Sequence, residues 1–297
     1  GPGKFGDESD GSPLIVLRAI QQTPQHKVGM SAIFADARRG HRVALEKNLE
    51  PFVRAGLAGL PLEDCNAAIA KALEVGGGRT LFFYLDPYGI ADLDFGMLRR
   101  VFERGPAQST EVLINFSFPT FMRMSGNWSH DESAATIAEK VKAAKIETLN
   151  RSMDGTYWRD IIQDTSLGPC EREDAIVAAY MERIRRFFQF VVSVPVKVQS
   201  EQPGVLEDSL AKYHLIFASR NARAVQYMND IAYDELAPYL NRFSDGLLFD
   251  LRPQRYAVEA RDQVKEEIVR LVAASPMMRP AIYEAVIPSH FLHYKTA

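Results

Sequence analysis

Read for the spacing of apolar and polar positions, the first half of the chain alternates between helical and strand-like stretches. Residues 13–22 carry apolar positions at helical spacing, and Ser12 before Pro13 offers an N-cap followed by a favourable first position. Residues 28–34, VGMSAIF, read as a strand ending at Ala35-Asp36, and a helix follows over 38–55. Residues 56–62 form a short connection or a third strand, before Asp64-Cys65-Asn66 and a helix through about Leu73. Gly76-Gly77-Gly78 then turns the chain into 80–85, TLFFYL, which runs straight into Asp86-Pro87-Tyr88-Gly89. A short unbroken run of β-formers closed by proline and glycine predicts a strand buried on both faces. Such strands belong to parallel sheets covered by helices, so the alternation gives an α/β fold class.

The second half continues the pattern and then departs from it. Residues 93–103 have helical spacing, and 111–115, EVLIN, form another strand with Asn115 at its carboxyl end. Residues 116–124, FSFPTFMRM, are unusually aromatic for a loop. They serve either as a cover over the sheet edge or as an apolar wall for a planar substrate. Residues 126–170 read as an inserted helical cap, with a helix over 134–149 bearing Lys140, Lys142 and Lys145 and a second piece over 157–163. An insertion at this place supplies substrate contacts; its lysines mark an anionic partner or a solvated face shared with Glu139 and Glu147. A long helix over 171–188 precedes two strands, 190–198 and 213–218, that form an antiparallel hairpin, and a last helix spans 221–240. Residues 243–255 read as a linker, and helices over 262–274 and 279–286 resemble the start of a winged-helix module. The expected organisation is one domain over 1–242 and a small segment over 243–297. Both ends read as cut, because no strand precedes the opening glycines and HFLHYKTA closes inside an element.

Composition narrows the functional classes. The 297 residues are 46% hydrophobic and 25% charged, with a formal net charge of −3, an ordinary composition for a large domain with a smaller one. No apolar run approaches the length of a membrane span. Two distant cysteines, Cys65 and Cys170, and no signal-like start point to a reducing, cytoplasmic setting. The slight acidity argues against a chain-wide nucleic-acid coat and leaves room for a local basic patch. No Ser-His-Asp elbow, HExxH helix or P-loop occurs, and the six histidines show no metal-ligand spacing.

Candidate chemistry gathers at the carboxyl ends of the strands, where ligands bind in such sheets. Gly1 and Gly3, in a loop running into a helix N-terminus, either approach a cofactor with backbone N–H groups or belong to a flexible tail. Asp36 either takes a ribose hydroxyl pair or caps the next helix. Asp64 or Asn66 reaches an adenine amino group, or one of them caps its own helix. Asp86, Pro87 and Tyr88 suit an amine. A carboxylate and the Pro87 carbonyl accept its two hydrogens, proline leaves no competing donor, and Tyr88 stacks on a flipped base. The bland alternative for Asp-Pro-Tyr-Gly is a type I turn.

The order of these features resembles the Rossmann-like class I methyltransferases: a glycine loop, an acid after the second strand, Asp/Asn after the third, Asp-Pro-Tyr after the fourth and a final antiparallel pair. Asp86-Pro87-Tyr88 resembles the amino-methyltransferase motif, from which it departs by lacking the second proline. A closer resemblance, over nearly the whole chain, is to the three-Cys-motif partner family. It rests on Gly1-Pro2-Gly3, Gly11-Ser12-Pro13-Leu14, the strand into Asp86-Pro87-Tyr88-Gly89, residues 111–115, YHLIFAS and the winged-helix-like tail. The resemblance implies a methyltransferase-like core and settles no substrate; the class I likeness and Asp86-Pro87-Tyr88 give the first expectation, S-adenosylmethionine-dependent methyl transfer to an amino group of nucleic acid. The family resemblance also implies a partner protein bearing a three-cysteine, radical-SAM-like motif. The alternative it leaves open is a non-catalytic binding module, and a nicotinamide-dependent dehydrogenase ranks below both.

Overall fold

A computed structural model describes residues 1–23, 29–87, 90, 93–105, 108–126, 137–197, 211–242 and 252–286. The chain is mixed α/β and divides into two units, Gly1–Leu81 and Phe82–Ala297.

The first unit holds helices α1 (Ser12–Gln22), α2 (Arg39–Arg54) and α3 (Cys65–Val75). Segments 32–36 and 57–62 run parallel on either side of α2 in sequence, bridged at Ala32–Ala58 and Ala35–Leu62. Their backbone bonds include Leu62 N–H to Phe34 O at 2.8 Å and Asp36 N–H to Leu62 O at 3.2 Å. Pairing starts at Ala32, four residues later than the strand expected from 28; Met30 and Ser31 are exposed, and Val28 lies outside the described residues. Leu14, Leu17 and Ile20 of α1 close over Leu45 and Leu49 of α2 to form the core, with Ala58. Helix α1 is capped by Gly11 rather than by Ser12, which falls within the first turn. The Gly11 N–H donates to Gly3 O at 2.8 Å, and a Cβ on Gly11 would meet that oxygen at 3.1 Å. This close approach is what requires glycine at 11.

The second unit carries the sheet. Its elements are β1 (Leu81–Leu85, whose first residue belongs to the first unit), α4 (Phe95–Phe102), β2 (Thr110–Phe116), α5 (Phe118–Ser125) and α6 (Ile137–Ser152). Then follow α7 (Trp158–Gln163), α8 (Pro169–Arg185), β3 (Phe190–Lys197), β4 (Ala211–Ser219), α9 (Ala222–Arg242), α10 (Arg252–Ala274) and α11 (Arg279–Val286). The strand order is β1-β2-β4-β3. Strands β1 and β2 are parallel, and β4 is antiparallel to both β2 and β3, so the last strand in sequence enters between its two predecessors and runs against them. One sheet face packs Phe190, Val192 and Phe217 on Val225 of α9. On the other, Phe116 lies against Tyr180 of α8, with ring centroids 5.2 Å apart.

Three expectations are corrected. Strand β1 is covered on one face alone: Phe83 and Leu85 are buried, whereas Phe82 and Tyr84 are 52% and 45% exposed. The run is apolar on both faces because its outward positions are aromatic, and aromatic residues tolerate a half-exposed pleat. The aromatic stretch after β2 is the helix α5, opened by Pro119 in its first turn, where no N–H is needed. Phe118 and Phe121 are core residues, and Phe121 meets Trp158 edge-on at 5.9 Å. Helix α10 begins at Arg252, ten residues before the expected start, with Pro253 again placed where helices accept it. The remainder of the expected linker, 243–251, lies outside the described residues, as does 287–297. Among the described residues, no helix is long and apolar enough to cross a membrane.

Candidate functional site

The carboxyl edge of the second unit's sheet collects polar side chains. Asp86 leaves the end of β1, and Asn115 stands at the penultimate position of the neighbouring strand β2. Their side chains meet, Asn115 Nδ2 donating to Asp86 Oδ1 at 2.7 Å. The bond directs one carboxylate oxygen sideways and leaves Asp86, an exposed residue, with acceptor capacity toward solvent. Asn115 Oδ1 is buried with no hydrogen-bond partner among the described residues. Tyr84 lies two residues before Asp86, on the same strand face. Burial, then the negative charge of Asp86 and the neighbouring Tyr213, push its phenol up to about 12. The Tyr84 hydroxyl therefore stays protonated and donates toward Asp86. Pro87 is half-buried beside Asp86; Tyr88 and Gly89 lie outside the described residues.

A second polar group lies along the same edge, on the other face. His214 of β4 pairs in register with Phe116, one residue beyond Asn115. Its Nε2 lies 3.1 Å from Glu173 Oε1, and its Nδ1 lies 3.1 Å from Ser193 Oγ. A carboxylate oxygen accepts from a ring N–H, which puts a proton on Nε2; in the neutral ring Nδ1 then accepts from the serine hydroxyl. Glu173 also accepts the Ala211 N–H through both oxygens, at 3.0 and 3.2 Å. Glu173 and His214 are buried and fully engaged, and they tie α8 to the start of β4.

In the first unit, Asp36 sits at the carboxyl end of 32–36. Its Oδ1 accepts the Arg38 N–H at 2.8 Å; its Oδ2 lies 2.5 Å from the Gly1 nitrogen and 3.3 Å from His41 Nδ1. Burial opposes its charge, but the Gly1 amine, the Arg38 N–H and His41 outweigh burial and hold the carboxyl below its ordinary range. Asp36 thus precedes α2 in a turn, and the capping position itself is Arg38. Asp64 caps α3, accepting the Ala67 N–H at 2.8 Å. Asn66 is exposed in the first turn of that helix. Gly1 has open space where a side chain would stand, whereas Gly3, at φ +89°, has Leu45 Cδ1 3.1 Å from where its Cβ would be.

Of the residues singled out in the sequence, Asp86 and Asn115 are brought together, and so are Gly1 and Asp36. Asp64 is committed to its own helix. Tyr84 and Tyr213 were not singled out; the period of two along β1, which puts Tyr84 on the face of Asp86, is the signal that finds the first of them. Glu173, His214 and Ser193 have no motif spacing; the antiparallel register of β3 on β4 brings Ser193 to His214, and the packing of α8 brings Glu173. Compared with known proteins, the chain matches no family model and no curated sequence.

Proposed function

We propose that the protein is an S-adenosylmethionine-dependent methyltransferase with a Rossmann-like class I core, acting on an amino group of nucleic acid. The observation that carries the proposal is the strand order β1-β2-β4-β3, with its last strand entering antiparallel, together with the Asp86–Asn115 pair at the carboxyl edge. The residues of the first unit fit the cofactor. Asp36 is held ionised at a strand end and keeps one lone pair of Oδ1 unmatched by the bonds it makes. Gly1 has open space where a side chain would stand, although its nitrogen is paired with Asp36, and Asn66 is exposed at the start of α3. These groups would hold ribose, amino acid and adenine in turn; Asp64 keeps one oxygen beyond its cap for the adenine. Bound there, the cofactor supplies an electrophilic methyl on sulfur.

The chain's own chemistry concerns the acceptor. An exocyclic amine of adenine is a weak nucleophile because its lone pair is delocalised into the ring. Asp86 and the Pro87 carbonyl accept the two amine hydrogens and turn the lone pair out of the ring plane. Asn115 fixes the rotamer of Asp86 so that no reorientation is needed at the moment of attack. Asp86 would take the proton that the amine sheds on methylation and pass it to water. Tyr88 would stack on the flipped base. In this reading Asp86→Ala abolishes methylation of cellular nucleic acid, measured by mass spectrometry of nucleosides from cells expressing each form. Equal methylation in both would sink it.

The absent second proline after Asp86 favours one alternative, a non-catalytic module that binds nucleic acid or a three-cysteine, radical-SAM-like partner. That module would bind equally well with Asp86→Ala, and a methylated product lost in the variant excludes it.

A further inference from the structure

The opposite edge of the same sheet carries a cleft of about 540 Å³. Thr110 and Phe190, the first residues of β2 and β3, line it together with Ser219, the last residue of antiparallel β4. Asp86 follows the carboxyl end of β1, which is parallel to β2, so cleft and carboxylate lie at opposite ends of the strands. Nothing proposed for Asp86 uses the cleft.

Its lining is polar and positively charged. Hydroxyls come from Ser109, Thr110 and Ser219, and amides from Gln108, Gln189 and Asn221. Arg220 lines the wall and donates Nε to Phe187 O at 3.1 Å and Nη2 to Phe102 O, both uncharged carbonyls. Its Nη1 is buried with no hydrogen-bond partner among the described residues, and the guanidinium lies 4.7 Å over the Phe188 ring. Behind it, Arg104 is buried and donates to Thr110 Oγ1 at 2.9 Å and Ser109 O at 3.3 Å. Burial, and for Arg104 also the charge of Arg220, push both guanidinium groups below their ordinary range. Two like charges held this close raise the local potential that a ligand meets. The 21-residue helix α9 begins on the cleft and adds the positive end of its dipole. Asn221 Oδ1 accepts the Arg223 N–H at 3.0 Å, and the exposed Arg223 side chain reaches the same lining. Against these cations the cleft wall has one acid among the described residues, Glu284 of α11.

We propose that this cleft binds the phosphate group of a small anionic molecule, with Arg223 and the start of α9 as its oxyanion contacts and the Arg220 charge in the wall behind them. Guanidinium groups match the oxygens of a phosphate in a way that water and chloride do not, and helix N-termini accept the same group. The hydroxyls and amides around them supply directional bonds for the rest of the molecule. The volume suits a small molecule, falling inside the range of about 300–1,000 Å³ typical of such pockets, and a polymer strand has no counterpart in its size.

The test is calorimetric titration of the purified protein with inorganic phosphate at constant ionic strength. Saturable binding is expected, weakened by about tenfold or more, or 1.4 kcal/mol, in Arg223→Glu. In Glu284→Gln, where the repelling carboxylate is gone, binding is expected to tighten. Both positions are exposed, and circular dichroism checks that each variant stays folded. No binding by the parent protein overturns the proposal. So does an affinity unmoved by both substitutions. An oligonucleotide that binds through Arg223 while phosphate does not also overturns it, since the occupant would then be a polymer.

Discussion

Asn115 donates through Nδ2 to Asp86 at 2.7 Å and so joins the ends of two adjacent parallel strands. The contact makes the candidate acceptor site a property of the sheet and not of a loose turn. It also predicts what a second carboxylate would do. With Asn115→Asp, two like charges share the space of a hydrogen bond, and one carboxyl is expected to titrate above the ordinary carboxylate range. Carbon-detected NMR titration reads this directly. Loss of one hydrogen bond to a charged but exposed partner should cost about 1 kcal/mol of stability at neutral pH, measured by urea unfolding.

The buried run Ser193–His214–Glu173 has a larger expected effect. Glu173→Ala leaves the Ala211 N–H and His214 Nε2 without their acceptor in a site that water does not reach. Each buried unsatisfied donor costs about 1–3 kcal/mol, so the variant should lose about 2–6 kcal/mol in denaturant unfolding. Ser193→Ala removes one bond at a half-buried position and should lose about 1 kcal/mol. Equal losses would show that the three residues are not arranged as a chain centred on His214.

Part of this arrangement is legible in the sequence and part is not. The helices α2, α8 and α11 and the strands β1 to β4 follow from periodicity and from their bounding glycines and prolines, and β4 shows its antiparallel partner through the Pro203-Gly204 turn signal. Strand β1 was misjudged because six apolar letters do not say which face is covered; Phe82 and Tyr84 differ from Phe83 and Leu85 only in what packs against them. Residues 116–124 were misjudged because Phe-rich segments have weak helix propensity, and tertiary packing of Phe118 and Phe121 decides the outcome. Asp86 and Asn115 were found because each ends a strand. Tyr213 and His214 carry no local signal because their partners, Tyr84 on β1, Ser193 on β3 and Glu173 on α8, come from other elements far along the chain.

Tyr84 gives a pH signature. Its phenol is raised to about 12 by burial and by the charge of Asp86, against an ordinary value of about 10. In the unfolded chain the proton leaves first as pH rises, so the folded state binds more protons through that window. Stability from this group is complete below about pH 10 and is lost as pH climbs toward about 12. Burial pushes Tyr157 and Tyr180 up as well, so the isolating comparison is Tyr84→Phe. That variant should lose stability less steeply than the parent across the window, in urea unfolding followed by tryptophan fluorescence. Identical slopes would mean that Tyr84 titrates normally.

The central claim is that the chain binds S-adenosylmethionine through the first unit, with Asp36 among its contacts. Isothermal titration of the purified protein with S-adenosylmethionine tests it most directly. The account predicts saturable binding, weakened about tenfold or more by Asp36→Ala and unchanged by Asp86→Ala, which touches the acceptor and not the cofactor. No detectable binding at high micromolar cofactor, or an affinity indifferent to Asp36, would contradict it.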